Sequence, residues 1–227
     1  MTLLLEIPAL GCDEGLYETF NAALGLETKV VVASGSRMDA CVDQVLAQAP
    51  KEFFLLGTSF GGRVALETAV ASPERVKVLI IIGAGAGPVV DQAAGLKRSE
   101  RVRGTEFEVV LKEMGDIVSH LPGPRGPETM EAFRAMSRKG GPERFALQSD
   151  AMAHRTDLWP LLSKITCPVL CLWGEHDQYS PAETAMKIAT SVPRGTAVLI
   201  KDCGHFPTLE YPEETARSVA GFLSISG

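Results

Sequence analysis

Ser59 carries the strongest pattern for covalent chemistry in this sequence. It lies in "LLGTSFGGR" (55–63), where Gly57 and Gly61 flank it as G-x-S-x-G. The preceding "EFFLLG" is typical of a strand and the following "RVALETAVA" of a helix. A serine in a sharp turn between them projects its hydroxyl above the sheet, and the glycines let strand and helix approach closely. We therefore predict a nucleophile at Ser59; the alternative, a helix N-cap serine, needs neither glycine.

A serine hydroxyl needs a base to take its proton, and the sequence offers four histidines. They are His120, His154, His176 and His205. His205, in "KDCGHFP", directly follows the last apolar run, and loops after strands carry the site residues of doubly wound sheets. His120 and His154 lie in a long helical interval, where surface or packing roles are expected. We predict that His205 is the base.

Asp177 is the predicted acid that orients His205. It follows the fifth apolar run in "WGEHDQYSP", beside His176. Neighbours in sequence point in different directions, so His176 and Asp177 are not expected to pair. Glu175 is expected to face away, because alternate residues leaving a strand point oppositely. Asp202 shares the loop of His205 and is expected to cap a turn there.

Six short apolar runs supply the strands that would position these residues. They are 2–7, 28–33, 52–57, 77–83, 168–174 and 196–201. Most are nearly continuous, which is typical of parallel strands covered on both faces. Helical patterns alternate with them at 14–24, 37–49, 60–72, 182–191 and 212–224, and Gly25 is a natural C-cap. This alternation predicts an α/β fold with a doubly wound, mostly parallel sheet of about six strands in a single domain.

The interval 88–160 between the fourth and fifth runs contains no strand pattern. Its sequence favours helices around 106–121, 127–138 and 142–155, and we predict a helical cap over the carboxyl ends of the strands. Several large apolar residues of this interval are candidates for an acyl pocket, although packing of the cap onto the sheet is the alternative for each. These candidates are Met114, Met130, Phe133, Met136, Phe145, Met152 and Trp159.

One segment of the interval concentrates positive charge. "LKRSERVRG" (96–104) contains four basic residues. A solvated helix face is the expected interpretation, and attraction of an anionic substrate tail is the alternative.

Composition narrows the class of protein. Among 227 residues the net charge is −6, which argues against a nucleic-acid partner. No run of 18 apolar residues occurs, which predicts no membrane-spanning helix, and the first residues do not fit a signal peptide. Five cysteines, an odd number, predict reduced thiols and a cytoplasmic location. Neither C-x-x-C pairs nor H-E-x-x-H occur, so no metal or other cofactor is predicted.

Three segments together resemble the α/β-hydrolase superfamily. They are "LLGTSFGGRVALETAVASPERVKVLIII", "CPVLCLWGEHDQYSP" and "KDCGHFPTLEYPEE". They look like its nucleophile, acid and histidine segments, in the chain order serine, aspartate, histidine. The resemblance is to small capped members similar to carboxylester hydrolases, enol-lactonases and the pimeloyl-carrier-protein methyl esterase. It implies a triad of Ser59, Asp177 and His205, with the Phe60 N–H as one oxyanion donor.

The resemblance implies a second oxyanion donor in the loop after the first strand. The family usually has His-Gly-x there, whereas this chain has "IPALGCDEG". If Pro8-Ala9 replaces His-Gly, the donor is the Leu10 N–H. Ala9 resists a positive φ, so the register of this loop is less defined by the sequence than the triad.

Members of the family usually open with a β-hairpin that this sequence lacks. With the family's strand order, the sheet runs 2-1-3-4-5-6 and the run 28–33 forms an exposed edge. Exposed edges are covered or paired in native proteins, so we predict protection by a homodimer or by an N-terminal loop.

These features together predict a serine carboxylester hydrolase. Its partner would be a small-molecule ester, thioester or lactone, cleaved through an acyl-enzyme on Ser59. The alternatives are a non-hydrolytic enzyme on the same scaffold, such as a lyase or a cofactor-free perhydrolase, and a non-catalytic ligand receptor.

Overall fold

A six-stranded parallel sheet forms the centre of the molecule. The computed structural model describes residues 2–226. The strands are β1 (Leu4–Ile7), β2 (Thr28–Val30), β3 (Phe53–Thr58), β4 (Val76–Ile82), β5 (Val169–Gly174) and β6 (Gly195–Ile200). They are ordered β2-β1-β3-β4-β5-β6, and every neighbouring pair is parallel. The predicted fold class and strand order are confirmed.

Helices connect the strands and cover both faces of the sheet. They are α1 (Glu18–Leu24), α2 (Met38–Gln48), α3 (Phe60–Ala71), α4 (Gln92–Arg103), α5 (Phe107–Gly115), α6 (Gly126–Ala153), α7 (Glu183–Ser191), α8 (Pro207–Glu210) and α9 (Pro212–Ser226). The predicted helix 14–24 is divided, because a 3₁₀ turn over Glu14–Leu16 precedes α1. Gly25 ends α1 with φ 67°, as predicted for a C-cap.

Burial on both faces explains why the central strands are continuously apolar. β5 is buried throughout, and β3 and β4 have one residue each that is not fully buried. Leucine, isoleucine, valine and phenylalanine supply most of these positions, and their removal from water is the main favourable term for folding.

Glu6 is the charged exception inside the sheet. It lies on β1 and is inaccessible to solvent. Asn21 donates a hydrogen bond of 2.8 Å to Glu6 Oε2, while Oε1 is buried without a hydrogen-bond partner. Burial raises the pKa of Glu6 to about 7, and the bond from Asn21 offsets this only in part. The folded protein therefore holds a proton at Glu6 at a pH where the unfolded chain has lost it.

Replacement of Glu6 by glutamine should stabilise the protein at alkaline pH. Wild-type stability is expected to fall as the pH rises from the unfolded pKa, near 4.5, to the folded pKa of about 7. Glu6→Gln cannot ionise, so its free energy of unfolding should exceed the wild-type value by up to about 3 kcal/mol at pH 8.5, and by little at pH 5. Urea unfolding at both pH values measures this. Glu18→Gln, an exposed neighbour on α1 with the same charge change, is the control; an equal gain there would contradict the prediction.

The interval between β4 and β5 contains helices α4, α5 and α6, followed by a 3₁₀ helix over Trp159–Lys164. α6 spans both segments predicted at 127–138 and 142–155, and its backbone leaves helical geometry at Gly141, one residue before Pro142. α4 contains nearly all of the basic segment 96–104, for which a solvated helix face was the expected interpretation and attraction of an anionic substrate tail the alternative. Its N-cap is Asp91, whose Oδ1 accepts a 2.9 Å hydrogen bond from the Ala94 N–H.

The sheet edge at β2 is shorter than predicted. The predicted run was 28–33, whereas β2 ends at Val30. Ala33 is buried, and its carbonyl accepts a 2.7 Å hydrogen bond from Gln148 of α6. A three-residue edge with an exposed Lys29 is itself a common protection against edge-to-edge pairing. The homodimer stays a prediction.

Two further sequence expectations concern membrane-spanning helices and the state of the cysteines. Among residues 2–226, none of the helices has both the length and the apolar character needed to cross a membrane. The cysteines are buried free thiols: Cys12, Cys41, Cys167, Cys171 and Cys203.

Candidate active site

Ser59 occupies a strained turn between β3 and α3. Its backbone has φ 55° and ψ −115°, and Asp202 is the only other non-glycine residue with positive φ among residues 2–226. The Ser59 N–H donates a 2.8 Å hydrogen bond to the carbonyl of Ile82, which ties the turn to β4. Such a conformation costs on the order of 1–3 kcal/mol and persists where the surroundings hold it. The strand, the turn and the helix are therefore arranged as the pattern predicted.

Both flanking glycines are required by close backbone approach. A Cβ on Gly57 would collide with the backbone of Gly61, and a Cβ on Gly61 would collide with the carbonyl of Ile7 on β1. No side chain fits at either position without displacement of a strand or the helix. The close approach of strand and helix that the two glycines predicted is confirmed.

Asp177 and His205 form a buried pair beside this turn. Asp177 Oδ2 and His205 Nδ1 are 2.7 Å apart, and the side chains are 0% and 3% exposed. The other oxygen, Oδ1, accepts hydrogen bonds from the backbone N–H groups of Tyr179 (2.8 Å) and Ser180 (3.0 Å). The carboxylate is thus fixed at both oxygens. With Nδ1 bonded to Asp177, Nε2 is the ring nitrogen left to accept a proton.

The competing acids and histidines lie outside this arrangement. Glu175 and Asp202 have side chains 49% and 73% exposed. His176 stacks on His120 with ring centroids 4.1 Å apart, and its ring does not bond to Asp177. His154 is exposed, and its Nδ1 lies 2.8 Å from the carbonyl of Asp150.

Glu210 holds the loop of His205, and sequence reasoning missed it. Its Oε2 accepts hydrogen bonds of 2.9 Å from the N–H groups of Gly204 and His120, and Oε1 accepts one of 3.3 Å from Phe206. Burial raises the pKa of Glu210, against the lowering effect of these bonds. Since His120 belongs to the segment between α5 and α6, one carboxylate joins that segment to the histidine loop.

Glu210→Gln should loosen this loop. An amide can place its oxygen at the two stronger contacts, but its NH₂ group then faces the Phe206 N–H, a second donor. We expect a loss of about 1–3 kcal/mol in the free energy of unfolding, because a buried N–H is left without an acceptor. Urea unfolding measures it. Glu214→Gln, exposed on α9, is the control and should change stability by less than about 0.5 kcal/mol.

One group of side chains among residues 2–226 has metal-ligating atoms close together. His120, His176 and Asp202 each offer one such atom, all within 4.8 Å of one another. Sequence reasoning did not predict this group. His176 and Asp202 are largely exposed, and Asp177 and His205 do not belong to it.

Two cavities open beside Ser59 and His205, and both residues line each of them. The larger, here called the cleft, has a volume of about 420 Å³. The smaller, here called the chamber, has a volume of about 30 Å³ and is lined mostly by apolar residues. A groove of about 650 Å³ between α4 and α5 borders the cleft but is lined by neither Ser59 nor His205.

The predicted pocket residues are divided between these cavities. Met114 and Phe133 line the chamber, and Met152 and Trp159 line the cleft. The other three candidates line neither: they are Met130, Met136 and Phe145. Met136 packs beside Gly15, and the Phe145 ring packs edge-on against Phe107 at 5.6 Å. Met136 and Phe145 therefore have the packing role that was the alternative to lining an acyl pocket.

The loop after β1 brings Leu10 to the chamber. The Cys12 N–H donates a 2.9 Å hydrogen bond to the carbonyl of Ala9, which closes a turn. Gly11 takes the positive φ of that turn, 78°, so Ala9 does not need it. Leu10 lines the chamber together with Ser59, and Phe60 begins α3, where first-turn N–H groups have no partner within the helix.

Two residues of α6 hold this loop in place. Gln148 Oε1 accepts a 2.8 Å hydrogen bond from the Gly11 N–H, and Arg144 Nη2 donates one of 2.9 Å to the Gly11 carbonyl. Gln148 is fully buried. These contacts span more than 130 positions, and no local pattern in the sequence indicates them.

Comparison with known proteins agrees with this geometry. Residues 6–218 match the alpha/beta hydrolase family, and the chain belongs to that family. It is a hydrolase of the alpha/beta class.

Similar proteins include several kinds of hydrolase. A 2-hydroxy-6-oxononadienedioate/2-hydroxy-6-oxononatrienedioate hydrolase of Dechloromonas aromatica is 27% identical over 209 residues, which cover 86% of this chain and 71% of that protein. A thermophilic esterase from Thermogutta terrifontis, solved with malate bound, superposes with a TM-score of 0.89 at 26% identity, covering 100% of this chain and 90% of that chain. The enol-lactonase from Burkholderia xenovorans shares the fold, with a TM-score of 0.85 at 17% identity over 98% of this chain and 91% of that chain.

Proposed function

We propose that this protein is a serine hydrolase that cleaves a carboxylic ester, thioester or lactone of a small molecule through an acyl-enzyme on Ser59. One observation carries the proposal. Ser59, in a left-handed turn at the start of α3, lines the same cleft as His205, whose Nδ1 is bonded to the buried Asp177. A hydroxyl, a base and an acid in this order are the parts that acyl transfer requires.

In the proposed reaction, His205 Nε2 takes the Ser59 proton while Oγ attacks the carbonyl carbon of the substrate. Asp177 keeps the proton of the imidazole on Nδ1 and stabilises the imidazolium that forms. The imidazolium then gives its proton to the leaving alcohol. A water molecule, activated by the same Nε2, hydrolyses the acyl-enzyme and restores Ser59.

The negative charge on the carbonyl oxygen needs donors fixed in advance. We assign this role to the backbone N–H groups of Phe60 and Leu10. Loss of a comparable donor costs about 3 kcal/mol of transition-state stabilisation in other hydrolases. Two hydrogen bonds support the assignment, because they fix the turn on which Leu10 lies: the Gly11 N–H donates to Gln148 Oε1, and Arg144 Nη2 donates to the Gly11 carbonyl.

Labelling with a fluorophosphonate tests the nucleophile directly. We expect one adduct per chain, on the peptide that contains Ser59, together with turnover of p-nitrophenyl acetate and butyrate. Folded protein that takes up no label at Ser59 would overturn the proposal. Labelling at Ser59 without turnover of any ester, thioester or lactone would instead favour another reaction at the same serine, either a non-hydrolytic one or the carbon–carbon hydrolysis considered next.

A second candidate, hydrolysis of a carbon–carbon bond, comes from the relative in Dechloromonas aromatica. The substrate in that protein's name contains no ester, so its hydrolysis must break a carbon–carbon bond. The same serine, histidine and aspartate could serve that reaction. Comparison of kcat/KM for a 2-hydroxy-6-oxodienedioate and for p-nitrophenyl esters distinguishes the two candidates.

A further inference from the structure

The charged residues that line the cleft are all basic. Among the described residues they are Arg63, Arg98 and Arg155, beside His205, and no aspartate or glutamate joins them. Arg63 is neutralised by Glu67, with Nε and Oε1 2.8 Å apart. Its remaining nitrogens donate to backbone carbonyls, of Gly87 at 2.8 Å and of Thr156 at 2.6 Å. All three guanidinium nitrogens of Arg63 therefore already have partners within the protein.

Arg98 differs from its neighbours on α4. Arg101 pairs with Glu106 and Glu113, and Arg103 with Glu143 and Asp150, at 2.8–3.2 Å. Arg98 is half-buried, and within residues 2–226 its one hydrogen bond is from Nε to the hydroxyl of Ser149, at 3.3 Å. Both terminal nitrogens of its guanidinium are left for a ligand.

Arg155 is a second guanidinium without an acidic partner in the described chain. It donates one hydrogen bond, from Nη1 to the carbonyl of Met152 at 2.8 Å. Burial lowers the pKa of Arg155, and the positive charges of Arg63 and Arg98 lower it further. Burial also lowers the pKa of Arg98. Two cations held close together and partly away from water destabilise the folded state unless an anion joins them.

We propose that Arg98 and Arg155 form a subsite for a carboxylate that the substrate carries in addition to the acyl group attacked by Ser59. The inference rests on the proposed function, because it names the substrate class of the same site. A guanidinium offers two parallel N–H donors that match the two oxygens of a carboxylate. The cleft volume of about 420 Å³ is that of a site for a small molecule. Trp159 and Met152 supply apolar surface for the chain between the two groups.

The substrates expected from this subsite are half-esters and other acids with one cleavable bond. Monomethyl esters of succinate, glutarate and adipate can be compared with neutral methyl esters in which an isopropyl group replaces the carboxylate. For the acid of best length, we expect wild-type kcat/KM to exceed that of its neutral counterpart by about 10- to 100-fold, the range of a charge-assisted hydrogen-bonded pair.

Variants at both arginines test the assignment. Arg98→Gln and Arg155→Gln should each reduce this preference about tenfold or more, mainly through KM, and Arg155→Lys should restore part of it. Arg103→Gln removes the same charge from the exposed face of α4 and should leave the preference unchanged. No preference in the wild type, or an equal loss in Arg103→Gln, would overturn the proposal.

A binding experiment separates this inference from the proposed function. Ser59→Ala should still bind succinate, glutarate or adipate, detected by calorimetry, and the affinity should fall at least tenfold when Arg98→Gln is added. Binding with this dependence would support the subsite even if no ester is hydrolysed. Absence of binding to folded Ser59→Ala, or binding that Arg98→Gln does not weaken, would overturn the subsite and leave ester hydrolysis to be decided by the labelling experiment.

Discussion

Ser59→Ala should lower kcat for ester hydrolysis by a factor on the order of 10⁵ to 10⁶. The reason is that Oγ is the atom that forms the covalent bond, and no other described serine lies in a left-handed turn at the head of a helix. The remaining rate would come from the oxyanion donors and from binding alone. Steady-state kinetics with p-nitrophenyl butyrate, with active protein counted by fluorophosphonate titration of the wild type, measures the loss.

The control for this variant is Ser72→Ala, at the opposite end of α3. It also replaces a serine hydroxyl by hydrogen, but away from the cleft, and should retain wild-type kcat. Because alanine must adopt the positive φ of Ser59, Ser59→Gly provides a second inactive variant without that backbone cost. Retention of more than about a hundredth of the wild-type kcat in both Ser59 variants would show that another group attacks the substrate.

The fold was predictable from the sequence because its strongest signals are local. Strands covered on both faces are continuously apolar, and β3, β4 and β5 are of this kind. Ser59 was predictable for a related reason: a tight turn between strand and helix requires glycine at fixed positions. Asp177 and His205 follow from topology, since both lie just after strands of one parallel sheet, at its carboxyl edge.

Other features depend on contacts between distant segments, and no local pattern reports them. β2 ends at Val30 instead of 33, and just beyond it the Ala33 carbonyl bonds to Gln148 from α6. Arg98 lies in a basic run that favours a solvated face. Its neighbours on α4 have carboxylate partners, whereas Arg98 lines the cleft. Which residue of a charged helix turns inward is decided by how the helix docks, so the sequence could name the basic segment but not the arginine of α4 that lines the cleft.

The second large effect is expected for Asp177→Asn. Asp177 Oδ1 accepts two backbone N–H groups, from Tyr179 and Ser180, so the amide oxygen of asparagine must take that position. The NH₂ group then replaces Oδ2, 2.7 Å from His205 Nδ1. A donor at that position forces Nδ1 to become the acceptor and moves the ring proton to Nε2. His205 then presents an N–H to Ser59 and cannot take its proton.

We therefore expect kcat at neutral pH to fall by about 10⁴-fold in Asp177→Asn, with little change in the fold, the effect known from the corresponding change in a serine protease. Asp202→Asn and Glu175→Gln remove the two rival carboxylates, which are exposed, and should retain activity within a few-fold. The sequence favoured Asp177 over these two competing acids, and kinetics on the three variants test that choice. Only a group bonded to Nδ1 can select the tautomer of His205. If kcat of Asp202→Asn or Glu175→Gln fell as far as that of Asp177→Asn, the acid would have been assigned to the wrong residue.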